Sequence, residues 1–133
     1  MNEDAVRLWI RRAGNDLKIG VDKLTTDNPA TDAICFHMQQ CCEKFLKAYL
    51  IFHGEEYPRT HDIALLVAGC ARIDSEFHTQ IESGAHTLTK YAVGVRYDEE
   101  IFPSLEETKR ARELAEKLRH FVLTRLRQKG FEP

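Results

Sequence analysis

The residues of this chain best suited to chemistry gather between Cys35 and Leu50, where His37, Gln40, Lys44 and Lys47 recur at spacings of three, four and three. That spacing puts all four on one stripe of an α-helix. Gln39 and Glu43 form an i, i+4 pair beside it. His61 and Asp62 follow, and later Arg96 and Tyr97. Lys44, Lys47, His61 and Arg96 can converge on a phosphate, because a helix beginning near His61 would add free backbone N–H groups. Gln40 and Tyr97 would then contact a base or ribose. A plainer arrangement uses the same residue types: Glu43, Lys44, Asp62 and Arg96 pair between helices, fixing register or lining a dimer seam, since charges withdrawn from water require partners. His61 in such a place can equally be a hydrogen-bonded structural residue. His37 and Cys41 share a helical face, but two ligands make no metal site, so neither metal nor cofactor is expected.

The elements that must position these groups are helical. Val6, Trp9, Ile10, Ala13, Leu17, Val21 and Leu24 predict a first helix from Glu3 to about Leu24. Asp27 or Asn28 can cap a second, with Pro29 near its first turn, running to about His53 and closed by Gly54. Its core face is Ile34, Met38, Cys41, Phe45, Ala48 and Phe52, so the polar stripe interrupts an otherwise apolar helix. Thr60 can cap a short helix from His61 to about Ala71, with Asp62 in its first turn. Asp74 or Ser75 starts a fourth helix through about Val93, with Gly84 as its weak point. Residues 96–103 read as a loop. Ser104-Leu105-Glu106-Glu107 has capping-box form and opens a last helix to about Gln128, closed by Gly130. Its stripe is Leu105, Ala111, Ala115, Leu118, Val122 and Leu126. With no internal repeat or linker, residues 1–133 read as a single domain. Short connections favour an all-α antiparallel bundle of four long helices plus one short helix.

Composition narrows the class further. The 133 residues are 43% hydrophobic and 30% charged, with seven glycines and four prolines, which suits a helical core closed without metals or disulfides. Nineteen basic residues against 21 acidic ones leave a charge of −2, which argues against coating nucleic acid by bulk electrostatics. No apolar run approaches the roughly 20 residues of a membrane span, and the start MNEDAVRLWIRR is no secretory signal. Cys35, Cys41, Cys42 and Cys70 form no CxxC pair and read as reduced, mostly buried thiols in a cytoplasmic protein. One local asymmetry stands out: five basic residues and no acidic one lie between Lys117 and Lys129. They complement the negative helix end, or they contact RNA or an acidic partner.

Three stretches together, CFHMQQCCEKFLKAYL (35–50), PRTHDIALL (58–66) and TKYAVGVRYD (89–98), resemble the HEPN domain family. The most specific parts are Gln40-x-x-Glu43-Lys44-x-x-Lys47-Ala48, His61-Asp62 and Arg96-Tyr97. The resemblance implies a helical bundle that dimerises. It also implies a small standalone protein of the kind encoded beside a minimal nucleotidyltransferase, often in toxin–antitoxin pairs. Some relatives are metal-independent ribonucleases, and others bind nucleotides without cleaving anything. The ribonuclease members carry an Arg followed after four to six residues by a His. Here Arg96 is followed at 101–103 by Ile101, Phe102 and Pro103, so that motif is missing from its expected place. Arg72 and His78 have a similar spacing but lie upstream. The resemblance therefore points to a nucleotide-, phosphate- or partner-binding module, with a ribonuclease using a relocated site and a dimeric scaffold without ligand as the alternatives.

Overall fold

The computed structural model describes residues 2–93 and 102–133, and the described residues are helical throughout, with no strand among them. Helix α1 spans Glu3–Leu24, α2 spans Thr31–Phe52 and α3 spans Ile63–Ala71. Helices α4 (His78–Ser83) and α5 (Lys90–Val93) are short, and α6 runs Leu105–Gln128. The all-α bundle expected from periodicity is what the chain forms.

Helix α2 is the axis of the structure. Thirteen of its residues, from Ile34 to Leu50, are buried, because α1, α6 and the segment between them all pack on it. A helix enclosed in this way must be apolar nearly all round, which is why the flanking row Cys35, Cys42, Leu46 and Leu50 joins the expected core face. Asp16 of α1 reaches His37 and Lys44, and Gly20 lies against Ile34 and Met38, so α1 and α2 run antiparallel. A Cβ at Gly20 would stand 2.5 Å from Met38 Cε, so any side chain there requires the end of Met38 to move. Thr108 meets Cys35 and Phe131 meets Phe52, so α6 runs in the same direction as α2. The chain between them supplies the return strand of the up-and-down bundle.

That return is where the structure departs most from sequence expectation. The fourth helix expected from Ser75 to Val93 is divided into a 3₁₀ turn (Ser75–Phe77), α4, a second 3₁₀ turn (Ala85–Thr89) and α5. Gly84 takes φ +99°, a left-handed conformation that ends α4 and that only glycine adopts without strain. Other boundaries also move. Helix α2 starts at Thr31 without a side-chain cap, because its N-cap residue is Ala30, which carries no acceptor, and Asn28 lies in the preceding turn at φ +53°. The capping box at Ser104 and Glu107 forms, and Gly54 and Gly130 end their helices at positive φ. Leu105, assigned to the apolar stripe of α6, is 46% exposed; Thr108 takes the buried place instead, its hydroxyl donating to the Ser104 carbonyl at 2.8 Å.

All four cysteines are free and buried. Burial pushes each thiol up, Cys70 to about 12, so none is poised to react. No helix among the described residues is long and apolar enough to cross a membrane.

Candidate functional site

The polar stripe of α2 forms two carboxylate centres. In the first, Asp16 of α1 accepts from Lys44 Nζ at 2.6 Å and bonds His37 Nδ1 at 2.8 Å. In the second, Glu43 accepts from Lys47 Nζ at 2.9 Å and bonds His61 Nδ1 at 2.7 Å. Gln39 connects the second centre to the loop before α3: its amide nitrogen donates to the His61 carbonyl at 2.9 Å and, at 3.3 Å, to Glu43. Gln40 donates to Gln39 Oε1 at 2.7 Å. The helical spacing seen in sequence is thus used in full, but each basic group points at a carboxylate of its own chain.

Burial makes these pairings consequential. The side chains of Glu43 and Lys47 are only 5% and 9% exposed, and that of Asp16 is 10% exposed. Lys47 also lies over the rings of Trp9 (5.8 Å) and Tyr57 (5.3 Å), which meet edge to face at 5.6 Å. The ammonium is therefore enclosed by one carboxylate and two aromatic faces, each of which favours positive charge. Burial pushes the Glu43 carboxyl up, but hydrogen bonds from Lys47 and His61 and the Lys47 charge outweigh it. They hold Glu43 below its ordinary 4.5. An ionised Glu43 accepts only, so His61 carries a proton on Nδ1, which leaves Nε2 as the ring nitrogen not engaged by Glu43. The His61 side chain is 43% exposed, so this nitrogen belongs to a ring that reaches the surface.

Sequence reasoning placed Gln40, Glu43, Lys44, Lys47 and His61 together; the structure joins Gln40, Glu43, Lys47 and His61 through Gln39, while Lys44 goes to the separate Asp16 centre. It treats Asp62 differently. Asp62 is the N-cap of α3, its carboxylate accepting from the N–H groups of Ala64 (3.0 Å) and Leu65 (3.4 Å), while Thr60 Oγ1 accepts from the Asp62 N–H. The Ile63 N–H donates to Thr89 Oγ1 at 3.1 Å. The free N–H groups expected at this helix start are therefore already occupied, which removes the anion cradle from that position. Asp62→Ala should cost α3 about 1 kcal/mol of stability, measured by urea unfolding. An unchanged midpoint would show that Asp62 is no cap. The expected ion pair of Glu43, Lys44 and Asp62 is replaced by the Asp16 and Glu43 centres. Arg96 and Tyr97 lie outside the described residues.

Asp16, His37 and Gln39 join the candidate residues through hydrogen bonds, although only Gln40, Glu43, Lys44, Lys47, His61, Asp62, Arg96 and Tyr97 were expected at the site. The signal for Asp16 was present: three residues after Ala13 and four before Gly20, it falls on the buried row of α1, where an acidic residue must have a partner. Trp9 and Tyr57 carried no comparable signal, because the cage around Lys47 depends on how the 53–62 connection folds back. Among the described residues, no group of three or more His, Cys, Asp or Glu side chains is arranged to hold a metal.

A long central helix bearing buried carboxylates that hold basic residues, wrapped by two other long helices, defines an α-helical bundle with an internal charged seam. The family model of the HEPN domain matches residues 6–126, and the chain belongs to the HEPN domain family. No curated protein and no solved structure is significantly similar to it.

Proposed function

We propose that residues 1–133 act as one HEPN domain that binds a protein partner, a minimal nucleotidyltransferase, in a toxin–antitoxin-like pair in the cytoplasm. One observation carries the choice of a protein over a phosphate: Lys44 and Lys47 are each neutralised by a carboxylate of the same chain. Charge spent inside the seam is not available to a phosphate, and binding through Lys44 and Lys47 would first have to break ion pairs. What remains at the surface is the part-exposed edge formed by Gln40, Lys44 and His61, suited to hydrogen bonding with a folded partner. The buried thiols support a reducing compartment, and the family resemblance supports a homodimer.

The chain should co-elute with a co-expressed minimal nucleotidyltransferase encoded beside it, at the mass of a heteromeric complex by light scattering. A chain that elutes only at its own mass or that of its homodimer overturns the pairing. Calorimetry with ATP should give no saturable heat. Saturable binding that Lys44→Ala abolishes would replace the partner reading with the nucleotide one.

A second reading rests on the His61–Glu43 pair. An imidazole held through Nδ1 by a buried carboxylate, on a ring that reaches the surface, has the geometry of a group that exchanges a proton with a 2′-hydroxyl in metal-independent RNA cleavage. It requires RNA cleavage that persists in EDTA and is lost in His61→Ala. RNA left intact by the parent protein removes it.

A further inference from the structure

A second polar surface lies away from the α2 seam, in a groove of about 270 Å³ between α4 and the C-terminal half of α6. Its lining includes Gln80, Lys117, His120, Phe121, Thr124 and Arg125. Gln80 is 4% exposed, and its Oε1 is buried with no hydrogen-bond partner. Its nitrogen reaches only the Thr79 hydroxyl, at 3.4 Å. A buried carbonyl oxygen without a donor is costly and is normally satisfied by something. The charges beside it are divided. Arg125 is committed to Glu76 at 2.7 Å and Asp74 at 3.4 Å, whereas Lys117, about two helical turns away, has no acidic partner among the described residues. The groove thus presents one acceptor in need of an N–H and, at the end remote from Asp74 and Glu76, one cation, Lys117, without a carboxylate partner among the described residues.

We infer that this groove binds an acidic peptide segment of a partner protein, with a main-chain N–H donating to Gln80 Oε1 and a carboxylate on Lys117 and His120. Three observations favour a peptide over RNA. A peptide carries N–H donors along its backbone, whereas a sugar–phosphate backbone presents chiefly acceptors to Gln80. Phe121 is no open stacking platform: the Arg125 guanidinium covers it at 4.8 Å, and Phe77 packs against it at 4.8 Å and 80°. Single-stranded RNA binding without such a platform loses its main sequence-tolerant contact. The volume falls below the roughly 300–1,000 Å³ of sites that enclose a small ligand, which suits a strand laid across the surface. The inference does not depend on the partner being a nucleotidyltransferase, and a peptide bound here stands even if that pairing fails.

The test is fluorescence anisotropy of the full chain with fluorescein-labelled hexaglutamate, in competition with unlabelled octauridylate. Lys117→Glu should weaken peptide binding by more than about tenfold, through charge reversal at the contact. Gln80→Leu should weaken it by roughly tenfold, because the peptide N–H is left unpaired, without lowering the melting temperature, since an unpartnered buried polar group is removed. Arg119→Glu, exposed on α6 and outside the groove lining, should have a smaller effect and serves as the control for bulk charge. The proposal is overturned by a parent protein that does not bind hexaglutamate, or by equal losses in Lys117→Glu and Arg119→Glu. It is also overturned if octauridylate binds more tightly with the same Lys117 dependence, which would make the groove an RNA surface.

Discussion

Replacing Glu43 with alanine should destabilise the fold by about 3–5 kcal/mol, the cost of leaving a buried charge without its partner. The stranded group is Lys47, whose side chain is 9% exposed and whose ammonium has no other carboxylate within reach among the described residues. The aromatic faces of Trp9 and Tyr57 at 5.8 and 5.3 Å soften the loss without replacing a hydrogen-bonded anion. His61 and Gln39 would lose their bonds to Glu43 at the same time, loosening the approach to α3. Urea unfolding measures the effect. The double variant Glu43→Leu with Lys47→Met should recover most of the stability, because an apolar pair of similar volume avoids both desolvation penalties. If Glu43→Ala costs no more than an exposed ion pair, about 1 kcal/mol or less, the seam is not buried as described. A double variant as damaged as the single one would show that shape, and not charge, is what Glu43 supplies.

Acid should unfold the protein through the same residue. Glu43 is held below its ordinary 4.5 in the fold, so the unfolded chain binds its proton more readily. The native state therefore gains stability from this group that is fully present above pH 4.5 and is lost as pH falls through the lower folded value. A second group acts earlier. Burial and the charge of Lys129 lower His53 below its ordinary 6.5, against the opposing pull of Glu55 and Asp74. Its Nε2 is buried without a partner. A depressed histidine likewise favours the fold above its unfolded value and opposes it as pH drops below 6.5. Stability should decline in two stages on acidification, the first starting near pH 6.5 and the second below 4.5. His53→Gln should remove the first stage, and Glu43→Gln should flatten the second. A parent protein whose unfolding free energy is constant from pH 7 to 4 would refute the assignment to His53. A Glu43→Gln profile parallel to the parent's below pH 4.5 would refute the assignment to Glu43.

The two carboxylate centres also explain why an otherwise apolar helix tolerates a polar row. Asp16 ties α1 to α2, and Glu43 ties α2 to the start of α3, so each charge bridges elements that apolar packing alone would leave free to slide. A hydrophobic contact is tolerant of register, whereas a buried ion pair is satisfied at one register and penalised at its neighbours. The seam thus holds His61 in a fixed attitude at the surface. Both proposed uses of that edge, contact with a partner or proton transfer, need such a rigid placement.

The sequence by itself determined the three long helices, because local periodicity and capping chemistry act within a few residues. The helices Glu3–Leu24 and Leu105–Gln128 fall where periodicity and capping put them, and the Ser104–Glu107 box and the glycines at 54 and 130 mark ends that the structure keeps. It also grouped Gln40, Glu43, Lys44, Lys47 and His61, since a charged row on a buried helix has to be used for something. Only the tertiary structure decided what that use is. Whether Lys44 faces a phosphate or Asp16 depends on how α1 crosses α2, a contact between residues 28 positions apart that no local pattern encodes. The same holds for Asp62, which turns back to cap α3, and for Gly84, whose left-handed turn divides a helix that periodicity drew as continuous. Local sequence fixes which residues share a face; the direction and partner of each charge are set by long-range packing, where the cost of an unpaired buried group selects one arrangement among several.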